Sequence, residues 1–170
     1  MWKFDGNQRP SFAVEPLPGQ ESVWDYPRPP AIEADYRRVV VRDGENVIAE
    51  SGTCLRILET ASPPTFYLPP QAIEWSLLMP ATGQSYCEWK GIARYWALKH
   101  DTARRAIGWS YDDPSEEFAQ IAGHLSFYPD RLTCLVAGES VQAQAGGFYG
   151  GWITSEVVGP FKGDHASSGW

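Results

Sequence analysis

The sequence is poor in the features that most readily announce a function. No apolar run approaches the ~20 residues a membrane helix needs, and the opening Met1-Trp2-Lys3-Phe4-Asp5-Gly6 lacks the apolar block of a secretion signal. Cysteine is scarce. Cys54, Cys87 and Cys134 are an odd number and form no Cys-x-x-Cys pair. They read as reduced thiols with no disulfide and no bound metal, since structural zinc wants four close ligands. Positive charge is in deficit: 14 Lys and Arg stand against 21 Asp and Glu, a net charge of −7. That balance speaks against a nucleic-acid polymer or an anionic membrane as partner. Also missing are the Gly-x-x-x-x-Gly-Lys-Ser/Thr phosphate loop, the Gly-x-Ser-x-Gly elbow and the His-Glu-x-x-His zinc motif. The expectation is a cytoplasmic protein without a cofactor, and whether it is an enzyme stays open.

What the sequence does hold is aromatic. Eight Trp, eight Tyr and seven Phe accompany 16 Gly and 14 Pro, a mixture that suits short strands and frequent turns. Residues 1–20, with Pro10, Pro16, Pro18 and Gly19, read as an extended arm. Residues 21–145 read as the β-rich body, and 146–170 as a Gly- and aromatic-rich tail packed on it. Val39-Val40-Val41 and Val47-Ile48 flank Asp43-Gly44, a strong hairpin signal. Further strands are expected at Cys54–Leu58, Thr65–Leu68, Ser85–Lys90, Ala93–Leu98, Ala106–Ser110, His124–Tyr128, Leu132–Val136 and Val141–Ala143. Pro70–Met79 has room for a helical turn or two. Pro114–Ala122 reads as the one well-formed helix, with Asp113 as N-cap and Glu116 completing a capping box. The fold class expected is mainly β, built of antiparallel sheets, with one short helix near 114–122. Gly44-Glu45-x-Val47-x-Ala49 is echoed by Gly138-Glu139-x-Val141-x-Ala143. That echo leaves open two pseudo-symmetric halves from a duplication, against a chance alignment of turn residues.

Chemistry has few candidates. Cys87 lies in Tyr86-Cys87-Glu88-Trp89-Lys90-Gly91. In an unbroken strand Lys90 would share a face with Glu88 and turn away from Cys87, so it would bear on the thiol only if the strand bends. A nucleophilic Cys87 would also need a base such as His100 or His124 brought from another strand. The stretch Gly146–Gly151 lacks phosphate-loop spacing and reads as a turn whose Phe148, Tyr149 and Trp152 lie on the surface of the body. Trp89, Tyr95, Trp96, Trp109 and Tyr111 crowd into one span of expected strands. They fit either a packed core or an aromatic cage for a flat or cationic small molecule.

Several segments together resemble one family. They are Glu21-Ser22-Val23-Trp24-Asp25-Tyr26-Pro27-Arg28-Pro29-Pro30, Leu58-Glu59-Thr60 before Pro63-Pro64, Cys87-Glu88-Trp89-Lys90-Gly91 with Tyr95-Trp96, Trp109-Ser110-Tyr111 with Asp113-Pro114, Phe127-Tyr128-Pro129, and Gly147-Phe148-Tyr149-Gly150-Gly151-Trp152-x-Thr154-Ser155. From about Arg9 to Trp170 the chain resembles domain-of-unknown-function family 427, which carries a nucleotidyltransferase-like label. One departure is Glu88, where the family's usual pattern has Pro. The resemblance implies a β-tent-like fold, a group whose relatives often hold zinc through four cysteines that this chain lacks. It also implies an aromatic ligand pocket like that of the group's cereblon branch.

The reading is a module that binds a small planar or cyclic ligand in an aromatic-lined cleft. Trp96, Trp109 and Tyr111 would wall the cleft, Glu59 and Ser110 would orient the ligand, and Lys90 would hold an anionic group. Two alternatives stand beside it: an enzyme, through nucleotidyl transfer or thiol chemistry at Cys87, and a structural or interaction domain.

Overall fold

The structure is a computed structural model that describes residues 2–163 and 165–170. In chain order its strands are β1 (Glu21–Ser22), β2 (Ala31–Asp35), β3 (Val39–Asp43), β4 (Asn46–Ser51) and β5 (Cys54–Leu58). They continue as β6 (Thr65–Tyr67), β7 (Leu78–Cys87), β8 (Gly91–Leu98), β9 (Ala106–Ser110) and β10 (Leu125–Phe127). The last are β11 (Thr133–Val136), β12 (Glu139–Ser140), β13 (Gln142–Ala143), β14 (Trp152–Ile153) and β15 (Val157–Val158). The fold is mainly β, as the turn-punctuated sequence leads one to expect.

Three antiparallel sheets carry the architecture, with strand orders β12-β11-β3-β4, β10-β9-β8-β7 and β2-β5-β6. The last two are stitched together where Leu68 and Leu125 exchange both backbone hydrogen bonds, at 2.8 and 2.9 Å. The hairpins that echo each other in sequence, β3–β4 and β11–β12, occupy equivalent places on either side of the β3–β11 seam. Asp43 pairs with Asn46, so Gly44 and Glu45 make the turn, one residue later than expected, with Gly44 at φ +58.

Between these sheets lies the main core, with Val39, Val41, Ile48, Phe66, Leu68, Leu125, Phe127 and Trp152 buried together. Trp152 is a correction. It does not lie on the surface: it is fully buried, stacks on Phe66 with centroids 4.9 Å apart, and donates from Nε1 to Phe127 O at 2.9 Å. An indole N–H left buried without an acceptor is costly, and here the tail supplies the ring while β10 supplies the carbonyl. The residue 1–20 segment packs through Phe4 and Phe12 onto Trp24, which also meets Trp170 edge-on at 5.0 Å.

The helical segment near 114–122 is present, but as a 3-10 helix over Glu116–Ile121 with a break at Phe118. Asp113 does not cap it. Ser115 occupies the cap position and makes no capping bond, because its hydroxyl donates to Trp89 O at 2.6 Å and its amide to Lys90 O at 3.1 Å. Those two bonds tie the segment to the β7–β8 turn, and Phe118 and Ile121 are buried beneath it.

Candidate functional site: an aromatic cavity around Lys90

On the face of the β7–β10 sheet away from the main core, the fold leaves a cavity of about 400 Å³. Pairing sets its walls. Tyr95 on β8 stands opposite Trp109 on β9, so both rings point to this side. Tyr67 of β6 closes the floor, and its hydroxyl accepts from Trp109 Nε1 at 3.1 Å. Tyr128 lies against Trp109, with centroids 4.8 Å apart. The Tyr95 hydroxyl bonds the Ser85 hydroxyl at 2.7 Å.

The decisive local feature is the end of β7. The strand stops at Cys87, residues 88–90 form a turn, and Gly91 restarts the chain at φ +99. The expected unbroken strand through Lys90 is therefore corrected. The turn swings Lys90 back to the side of Cys87, and both line the cavity with Glu59, Trp109 and Tyr111. Trp96 and Ser110 are not brought there. They lie on the opposite face of the same strands, where Trp96 Nε1 donates to Ser110 Oγ at 2.9 Å and Trp96 meets Trp75 edge-on at 5.0 Å. Strand alternation is the reason: neighbours of Tyr95 and Trp109 must face the other way.

Lys90 is only 9% exposed. Its ammonium sits 5.7 Å from the Tyr111 ring centroid and 6.0 Å from that of Phe118. Burial disfavours its charge, but Tyr67, Cys87 and Glu59 more than offset this and hold the group above its ordinary value. Lys90 is thus an ammonium at neutral pH. Glu59 is occupied elsewhere, since its Oε1 lies 3.3 Å from Arg28 Nε. Burial, then the neighbouring Tyr67, Cys87 and Tyr95, push the Tyr111 hydroxyl up, so it stays a neutral donor. Trp89 Nε1, at the cavity wall, is buried without an acceptor among the described residues.

Two segments form the rim. Trp2 lies 4.4 Å from the Arg28 guanidinium and 6.3 Å from the Trp89 ring. Phe148 and Tyr149 of the 146–151 loop also line the cavity and are exposed, with Lys162 Nζ 5.2 Å from the Tyr149 ring. The sequence model of the family described as a domain of unknown function (DUF427), named NTP_transf_9, matches residues 31–138. The chain belongs to the DUF427 family. No curated protein matches it. Within this DUF427 chain the matched span supplies Glu59, Tyr67, Lys90 and Trp109, while Trp2 and the 146–151 loop lie outside it.

Sequence reasoning missed Tyr67, Tyr128 and Trp2 as cavity residues, and it put Trp89 in the aromatic cluster without naming it as a wall of the cleft. Tyr95 was identifiable by alternation, being two residues from Ala93 and on the side opposite Trp96. Tyr67 and Trp2 were not, because their place depends on how separate segments stack. Among the described residues no three His, Cys, Asp or Glu side chains gather as a metal site.

Proposed function

We propose that the cavity binds a small planar molecule whose single negatively charged or carbonyl group is held by Lys90. The observation that carries this reading is a nine-tenths buried ammonium that makes no ion pair with a carboxylate among the described residues. Removing such a charge from water is costly unless a partner is supplied, and a bound anion supplies it. The flat walls, Trp109, Tyr128 and Tyr95, suit a planar body, and the unpartnered Trp89 N–H suits an acceptor on it. Glu59 and Glu88 at the same cavity favour one negative charge over several, which argues for a simple planar acid over a nucleoside triphosphate.

Thermal unfolding with benzoate, benzamide and benzylamine tests the reading. A ligand bound to the native state must raise its stability, and the expected order is benzoate above benzamide above benzylamine. An equal response to all three, or none to benzoate, overturns it.

A further inference from the structure

Cys87 keeps company in the cavity that simple binding does not use. It lines the cavity beside Lys90 and Tyr111, whose side chains both interact with it, and the Lys90 ammonium stands 5.7 Å from the Tyr111 ring centroid. Cys87 is partly exposed, whereas Cys54 and Cys134 are sealed in the main core. We propose that Cys87 is a nucleophile that adds reversibly to the carbonyl carbon of a planar aldehyde bound in the cavity, with Lys90 and Tyr111 holding the carbonyl oxygen. The proposal rests on the reading of the cavity as a planar-ligand site.

Two features select this chemistry. Both donors line the cavity beside the sulfur, so an oxygen one bond from the attacked carbon falls within their reach. In a conjugated enone the oxygen lies three bonds from the attacked carbon and would be carried away from them. Second, among the described residues no histidine lines the cavity, and Glu59 is engaged by Arg28. Glu88 also lines the cavity but is exposed to solvent in the turn after Cys87. No buried base among the described residues thus stands ready to activate water or to serve a departing group, as ester or amide cleavage would require. Addition to an aldehyde needs neither.

In the step, the sulfur–carbon bond forms and the carbonyl π bond breaks. The π electron pair moves to oxygen, which takes a proton from the Lys90 ammonium, and the thiol proton replaces it on the amine. The product is a neutral hemithioacetal. Nothing is oxidised or reduced, and no further reactant is consumed.

The test uses the full chain with benzaldehyde carrying a 13C label at the carbonyl, observed by NMR. The expected result is replacement of the trigonal aldehyde signal by a tetrahedral one, reversed on dilution and absent in Cys87→Ala. Lys90→Met should weaken capture on the order of tenfold, the scale of one charge-assisted hydrogen bond. Unfolding curves and benzoate binding of Cys87→Ala establish that the variant is folded with its cavity intact. A tetrahedral signal that survives in Cys87→Ala, or an imine that borohydride fixes on Lys90, overturns the proposal. Benzoate binding with a label that stays trigonal defeats this inference alone. Capture at Cys87 without benzoate binding defeats the anion-binding reading and leaves the nucleophile standing.

Discussion

A Cβ placed on Gly150 would stand 2.1 Å from Cη2 of Trp109, so the 146–151 loop lies flat against the ring that walls the cavity. No side chain fits between them, and the atom in the way belongs to a ring held on both sides. Tyr67 and Tyr128 pack against the same indole. Gly150→Ala should lift the loop and cost ~1–3 kcal/mol, the usual range for overpacking a filled site. Urea denaturation reads the loss, and benzoate titration reads the cavity. Unchanged values in both would show that the loop is free to move off Trp109.

Trp96→Ala and Trp109→Ala should behave differently although the residues belong to one aromatic cluster in the sequence. Trp109 is 6% exposed and serves the core as well as the cavity, so its loss should cost ~3–5 kcal/mol of folding. Benzoate affinity should fall with it. Trp96 faces away from the cavity, so Trp96→Ala should leave benzoate affinity unchanged while lowering the unfolding midpoint. Loss of binding in Trp96→Ala with full stability would place the ligand on the wrong face of β8.

How much of this could be read from the residues depends on whether the signal was local. The hairpin at Gly44, most of the longer strands and the 3-10 turns at Pro70–Ala72 and Trp75–Leu77 follow from short-range turn chemistry and β-branched runs. By contrast, β2 and the first half of β7 were not among the strands expected. Alternation along β8 and β9 separates Tyr95 from Trp96, and Trp109 from Ser110, but not which set faces a ligand. That choice was settled by packing across three sheets. The Asp113 cap failed because Ser115 found better partners in Trp89 and Lys90, the former 26 residues back along the chain in the turn between β7 and β8. The relation of Cys87 to Lys90 turned on one backbone event, the turn at residues 88–90 before a positive-φ glycine, which strand periodicity does not register.

Acid should act on Asp35. Its burial would raise the carboxyl, but the hydrogen bonds from Arg37 and the charges of Arg37 and Arg56 prevail and hold it below its ordinary value. The unfolded chain therefore binds the proton first as pH falls. The stabilisation is complete above the ordinary carboxyl value of about 3.9 and is lost as pH drops through the folded value. Wild type should lose stability steeply below about pH 4, and Asp35→Asn should be less stable at neutral pH with a flatter acid limb. Denaturation midpoints measured from neutral pH into that range decide it; parallel curves would remove Asp35 as the source.

Arg56 gathers three carboxylates. Its side chain is nearly buried, and it bonds Glu21 at 3.2 Å and Glu33, with Asp35 3.6 Å away. Removing one member of a buried ionic group strands the others, which typically costs ~3–5 kcal/mol. Glu21 and Glu33 retain access to water, so Arg56→Met should fall at the lower end, and adding Asp35→Asn to it should recover part of the loss. A double variant as unstable as the sum of the singles would show that the groups act independently.

Lys90→Met separates the fold from the ligand. An ammonium nine-tenths buried carries a desolvation cost that a methionine of similar length does not. The rings of Tyr111 and Phe118, which now face the charge, would instead meet a thioether, a favourable contact in its own right. Glu59 keeps its pairing with Arg28, so the substitution strands no carboxylate. The unfolding midpoint of Lys90→Met should therefore equal or exceed that of wild type. Its response to ligand should vanish: at a hundredfold excess over Kd a native-state ligand adds about 2.7 kcal/mol to wild type, and benzoate should add almost nothing to the variant. A drop in stability without ligand would make Lys90 a structural cation for Tyr67 and Cys87. An undiminished benzoate response would move the anion elsewhere, and either result would end the case for Lys90 as the group that recognises the ligand.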